Sequence, residues 1–199
     1  MLLFDSPVSG NCYKVRLLFA QLGISYERRT VDVVDRSNRA ELLGDLNPSL
    51  RVPTLVLDDG RSIGESGAIL WYFGEGTPFV PSDPYERAQV LQWMFFEQYD
   101  LEPSIAVVRF WRAYSGQPEA FEDRLEERTA AGDRALAALE KHFGSRQWAV
   151  GPAMTLADIA LYAYTHVAGE GGFELERYPA VTKWLGRVAS HPGHVPIDA

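Results

Sequence analysis

Three short groups of polar residues stand where a turn or a helix start would give them chemistry. The first is Ser9-Gly10-Asn11-Cys12, a hydroxyl, an amide and a thiol in turn-forming sequence ahead of an apolar helix pattern. The second is Val52-Pro53, which opens the apolar run Thr54-Leu55-Val56-Leu57. Proline cannot donate to a ladder, so Pro53 belongs at the first residue of its strand. A cis Val52-Pro53 bond would turn the chain sharply and point the Val52 N–H and C=O outward, toward another extended backbone such as a peptide. The third is Glu65-Ser66, at the mouth of the short apolar helix Ala68 to Phe73, stopped by Gly74. N–H groups at a helix start favour a carboxylate, and Glu65 favours an ammonium. Backbone pairing, an anion hole and a cation hole together suit a small zwitterionic peptide with an α-amino acid end.

The apolar pattern supplies the elements that must hold these groups. Leu2-Leu3-Phe4 reads as a short buried strand. Val15, Leu18, Phe19 and Leu22 recur at helical spacing, closed by Gly23. Tyr26 to Val33 reads as a second strand, and Arg39 to Leu43 as a short helix ended by Gly44 and Asn47-Pro48. The run after Pro53 and Arg61-Ser62-Ile63 form a hairpin around Asp59-Gly60. The order is βαβαββα, a layered α/β sheet with an antiparallel edge. The stretch Glu75 to Pro84 is rich in Pro, Gly and polar residues and reads as a linker. Residues 1–78 are therefore expected to form one domain, 79–85 the linker, and 86–199 an all-α domain.

In the second domain Val90, Trp93, Met94 and Leu101 keep helical spacing, with Glu97 on the same stripe. Glu102-Pro103 should kink or divide this helix. Glu119 to Phe143 reads as a second long helix, with Leu125, Leu136, Leu139 and Phe143 facing inward. Thr155-Leu156-Ala157-Asp158 is a capping box with a carboxylate at N3, and Met154 and Ile159 stand where a hydrophobic staple would. Removing Asp158 should cost about 0.5–2 kcal/mol. Tyr178-Pro179 opens a last helix, faced by Val181, Trp184, Leu185 and Val188, and His191 to Ala199 reads as a tail.

The composition bounds the partners. The chain has 199 residues, a formal net charge of −8 and 46% hydrophobic residues, the profile of a soluble globular protein. Acidic residues run through both halves, with no basic stripe for nucleic acid and no polybasic segment for anionic lipid. No apolar run approaches the ~20 residues of a membrane span. Met1-Leu2-Leu3-Phe4 meets Asp5 and Pro7 at once, which is not the pattern of a signal peptide. A single cysteine cannot form an internal disulfide and fits a reducing, cytoplasmic setting. His166, His191 and His194 stand at no metal-ligand spacing, so no metal is expected.

With Val52-Pro53 and Glu65-Ser66-Gly67-Ala68-Ile69 in this order, the chain resembles the glutathione transferase family, with its thioredoxin-like N-terminal domain and all-α C-terminal domain. The resemblance covers nearly the whole chain, and the capping box after a glycine is shared with the helical domain of that family. It implies that Pro53 is cis, that the Val52 backbone pairs with the cysteinyl residue of glutathione, and that Glu65 and Ser66 hold its γ-glutamyl end. It also implies that Ser9, at the position of the attacking cysteine of thioredoxins, donates to the glutathione sulfur, with Asn11 assisting. Arg51 could reach the glycine carboxylate, or be a solvated surface residue. Ser9 is also a preferred helix cap, and Cys12 reads as a small packing residue.

The chemistry implied is modest. A thiol of pKa ~8.5 needs ~2.7 kcal/mol to shift by about two units. One hydrogen bond to a charged group supplies about 1.5–3 kcal/mol and a helix start roughly 0.3–1 kcal/mol. The function expected is conjugation of the glutathione thiolate to a small hydrophobic electrophile, a detoxification chemistry, in a bacterial serine-type homodimer. Two alternatives use the same site: glutathione-dependent disulfide or peroxide reduction, and a non-catalytic glutathione-binding or partner-binding module.

Overall fold

A computed structural model describes residues 1–199, which fall into two compact units. One comprises Met1–Thr77 together with Pro192–Ala199, the other Pro78–His191.

The first unit is built on a four-stranded sheet in the order β2-β1-β3-β4. Its elements run β1 (Leu2–Asp5), α1 (Gly10–Leu22), β2 (Glu27–Thr30), α2 (Arg39–Leu43), β3 (Thr54–Val56), β4 (Ser62–Gly64) and α3 (Ser66–Gly74). This is the thioredoxin-like βαβαββα order read from the sequence. β1 pairs in parallel with β2, and antiparallel with β3 with Leu3 opposite Leu55. Strand side chains alternate between faces. Leu3 and Leu55 therefore pack with Val15 and Phe19 of α1 and Ile69 of α3, while Phe4 faces Val31 and Leu43 of α2 on the other side. Phe19 anchors the first layer, edge-on to Tyr26 and Phe73 at 5.1 and 4.8 Å between ring centroids. Gly23 ends α1 at φ 66°, a left-handed conformation that glycine adopts without a Cβ clash.

β2 is shorter than the Tyr26 to Val33 span read from the sequence. The strand is an exposed edge, and the Asp32 carboxylate accepts from the Val34 and Asp35 N–H groups, which turns the chain out of the ladder. Residues 192–199, a tail in the sequence reading, pack in this first unit. The Val195 carbonyl accepts from the Tyr13 hydroxyl at 2.7 Å, and Arg16 and Arg28 donate to the carbonyls of Ile197 and Ala199.

The second unit is helical. It holds α4 (Pro84–Phe96), α5 (Val107–Ala113), α6 (Glu122–Phe143), α7 (Leu156–Thr165) and α8 (Pro179–Ala189). Asp83 caps α4 by accepting from Glu86 N–H at 2.9 Å, with Pro84 in the first turn. Around Pro103 the regular α-helix is interrupted, yet the chain stays helical. Residues Glu97–Ala106 stay helical with wide π turns between α4 and α5, a geometry that relaxes the i→i−4 ladder to which proline cannot donate. A 3-10 turn, Pro118–Phe121, precedes α6. The capping box of α7 forms, and its Asp158 is fully buried. Trp184 stacks on Phe143 at 4.4 Å between centroids. Glu97 is fully buried as well. No helix is long and apolar enough to cross a membrane.

Candidate functional site

Ser9 sits at the N-cap of α1 in extended backbone, and its Oγ accepts from Cys12 N–H at 3.3 Å. A hydroxyl has one donor and two acceptor sites, so capping the helix leaves the O–H able to donate elsewhere. Ser9 is half-buried, at the edge of the core.

The turn that carries Ser9 is held from inside the unit. Arg16, on the buried face of α1, donates to the Ser6 carbonyl at 3.3 Å and the Pro7 carbonyl at 3.1 Å. Its charge is met by Asp5, fully buried at the end of β1, which also accepts from Arg28 Nε at 2.9 Å. Burying the pair strips both groups of water, and Arg16 Nε is left without a partner, so the pair fixes a geometry rather than adding much stability.

Cys12 is sealed off. Its Sγ accepts from Ser6 N–H at 3.3 Å, and burial pushes its thiol up to about 12 despite the help of Ser9 and Ser6. A thiolate is the reactive form of cysteine, so Cys12 packs rather than attacks.

Asn11 and Ser66, 55 residues apart, meet directly: Ser66 Oγ donates to Asn11 Oδ1 at 3.2 Å. Ser66 is buried at the first position of α3, whose N-cap residue Glu65 makes no side-chain cap. The Glu65 carboxylate is exposed on a backbone at φ 65°. A non-glycine residue in the left-handed region costs of order 1–3 kcal/mol, and such residues gather at ligand clamps. The other non-glycine residue at positive φ is Leu50, φ 53°, just before the Arg51-Val52-Pro53 segment.

The Val52-Pro53 bond is cis. The Val52 side chain packs against the Phe4, Val31 and Leu43 cluster, while its N–H and C=O take part in no main-chain bond of the protein. The ladder starts at Thr54. Asn47 braces this segment: its Nδ2 donates to the Arg51 carbonyl at 3.2 Å and to Thr54 Oγ1 at 2.9 Å, and its Oδ1 accepts from Ser49. A side chain at Gly64 would crowd it, since a Cβ there would lie 2.8 Å from Asn47 Nδ2. The Arg51 side chain is exposed and makes no hydrogen bond in the protein.

The structure thus joins Asn11 to Ser66 and places Ser9 two residues before Asn11. It shows no bond from Val52, Arg51 or Glu65 to those three. The sequence reading missed the residues that hold the site, namely Asn47, Arg16 and Lys14. Lys14 is almost wholly buried and donates to Asn11 Oδ1 at 2.8 Å. One signal was present: Lys14 and Arg16 stand among the apolar residues of α1. No group of three or more His, Cys, Asp or Glu side chains is placed to hold a metal ion.

The family models for the glutathione S-transferase N-terminal and C-terminal domains match residues 3–78 and 104–192. The chain belongs to the glutathione S-transferase family. A glutathione S-transferase structure from Pseudomonas fluorescens Pf-5 is 45% identical, with a TM-score of 0.95 over 98% of both chains. A structure of Ure2p in complex with glutathione is 26% identical, with a TM-score of 0.84 over 96% of this chain and 90% of that one. The disulfide-bond oxidoreductase YfcG of Escherichia coli strain K12 is 28% identical over 96% of this chain and 90% of its own length. This chain is an enzyme of the transferase family, and its activity depends on glutathione.

Proposed function

We propose that the first unit binds glutathione and activates its thiol through the Ser9 hydroxyl, for attack on a small hydrophobic electrophile. The observation that carries this reading is the Asn11–Ser66 hydrogen bond, which joins the helix start bearing Ser9 to the helix start bearing Glu65. In this reading the Val52 backbone pairs with the cysteinyl residue. The Ser66 hydroxyl and the first-turn N–H groups of α3 take the γ-glutamyl carboxylate, and Glu65 takes its ammonium. Arg51 is exposed and free to reach the glycine carboxylate. The sulfur then lies near the start of α1, where the Ser9 O–H and the helix dipole favour the thiolate. Pro53 sets the bend, and no metal takes part.

Reduction of a small disulfide or peroxide is the second reading, favoured by the likeness to a disulfide-bond oxidoreductase. It would run through the bound glutathione thiolate, because the Cys12 thiol stays protonated. The protein would act in the cytoplasm as a homodimer. Exposed Tyr72 on α3, Phe95 at the end of α4 and Tyr99 in the π-turn segment offer apolar surface for a second subunit. Asp100 is exposed there for a cross-subunit contact, whereas Glu97 is not.

Ser9→Ala is the test. The bound-thiol pKa should rise by about one to two units, and kcat at neutral pH should fall roughly tenfold or more with the fold intact. An unchanged pH–rate profile removes Ser9 from the mechanism. Turnover of a chlorinated nitroaromatic supports conjugation, and turnover of a small disulfide supports reduction. Binding of glutathione without either would leave a binding module.

A further inference from the structure

Lys14 is 1% exposed, an unusual place for a lysine, and it lies one helical turn beyond Asn11 on α1. Its Nζ donates to Asn11 Oδ1 at 2.8 Å, and Ser66 Oγ donates to the same oxygen at 3.2 Å. A lysine ammonium has donors and no acceptor, so this contact admits only one orientation of the Asn11 amide. The oxygen faces Lys14 and Ser66, and the NH2 group lies on the opposite edge. Asn11 is half-exposed and two residues from Ser9, at the same helix start as the Ser9 hydroxyl.

We propose that Lys14 is a positioning residue of the glutathione site, fixing the Asn11 amide so that its NH2 acts as a second donor to the thiolate beside Ser9. The inference rests on the glutathione reading above. It also accounts for two donors meeting on one oxygen. When a γ-glutamyl carboxylate draws the Ser66 hydroxyl away, Lys14 still holds the amide. Without it, the amide could turn and present its oxygen, an acceptor that would repel a thiolate.

The experiment compares wild type with Lys14→Met, Lys14→Gln and Asn11→Ala, reading the pKa of enzyme-bound glutathione from its thiolate absorbance, alongside glutathione affinity and melting temperature. Methionine keeps the length and apolar stem but has no donor. Lys14→Met should raise the bound-thiol pKa by about one unit, a roughly tenfold loss of thiolate at neutral pH. Asn11→Ala should give a shift of the same size, and the two together no more than either alone. Lys14→Gln, whose amide can still donate to Asn11, should recover most of the wild-type value. A bound-thiol pKa unmoved in Lys14→Met or in Asn11→Ala overturns the proposal, even if the melting temperature falls. Should Lys14→Met not fold, Lys14→Gln and Asn11→Ala decide alone: a full shift in the first, or none in the second, overturns it. Wild-type protein that binds no glutathione in calorimetry overturns the underlying reading and this inference with it. Binding with no pKa shift overturns the inference alone.

Discussion

Replacing Asp158 with alanine should cost far more than a helix cap. A capping carboxylate is worth about 0.5–2 kcal/mol, the figure that follows from Thr155-x-x-Asp158 alone. In the folded chain the carboxylate accepts from four donors. They are Ala149 N–H at 2.9 Å, Thr155 N–H at 2.9 Å, Thr155 Oγ1 at 3.1 Å and the Trp184 indole N–H at 3.0 Å. Every residue involved is buried. Burial pushes the Asp158 carboxyl above the usual range, and these four donors pull it back. Alanine leaves two backbone N–H groups and an indole with no acceptor, while the Thr155 hydroxyl can rotate. At about 1–3 kcal/mol for each stranded donor, the loss is about 3–6 kcal/mol after some relief by water entering the space. Typical domain stabilities are about 5–15 kcal/mol, so this variant should stand close to the folding limit. Urea unfolding followed by tryptophan fluorescence and far-ultraviolet circular dichroism measures it. Asp158→Asn keeps the shape and one acceptor oxygen and should fall between alanine and wild type. A loss of no more than about 2 kcal/mol for Asp158→Ala would show that the carboxylate works only as a cap, and the four-donor argument would fail.

Further outcomes follow from two titratable groups. The Cys12 thiol, pushed up to about 12 by burial, should resist alkylation in the folded protein and label promptly in denaturant. Cys12→Ala should leave glutathione-dependent turnover nearly unchanged, and loss of activity there would argue for a cysteine mechanism. Burial holds the His142 imidazole below its ordinary value, with Arg146 adding to the effect and the Ala149 carbonyl, 2.9 Å from Nε2, opposing it. A base with a lowered folded pKa favours the neutral form in the native state, so the unfolded chain takes up the proton first as pH falls. His142 therefore contributes stability above the unfolded value of about 6.5 and loses it as pH drops through that value toward the lower folded one. The melting temperature of wild type should fall more steeply than that of His142→Gln between about pH 7.5 and pH 5.5, and equal slopes would count against it.

The fold was legible because it rests on local patterns. The β1–α1 unit, the hairpin at Asp59-Gly60 and the α7 cap each declare themselves within a few residues, through alternation, helical spacing or turn chemistry. The form the chain takes at Pro103 was less legible, for the same reason. Proline is a strong local stop signal, yet the π turns of Glu97–Ala106 absorb its missing N–H in a way that depends on packing, not on the neighbouring residue types. β2 ends early because of one Asp32 side chain, which a run of apolar and polar letters does not weigh.

The candidate site divides along the same line. Ser9, Asn11, Val52, Pro53, Glu65 and Ser66 are recognisable because their residue types act through their own turn or helix start. The residues that brace them act at a distance, side chain to backbone. Asn47 holds the Arg51 carbonyl, and Arg16 holds those of Ser6 and Pro7. Every residue has a carbonyl, so such a bond places no demand on the identity of its acceptor and leaves no mark there. The segment 192–199 shows this most clearly. Tyr13, Arg16 and Arg28 all donate to its carbonyls, of Val195, Ile197 and Ala199. Nothing in those three apolar side chains reports that their backbone is held beside α1. Only the donors could have signalled it, through a tyrosine and an arginine kept inside an apolar helix next to a buried Asp5. Such a pattern says that the charge has a partner but not which carbonyls share it.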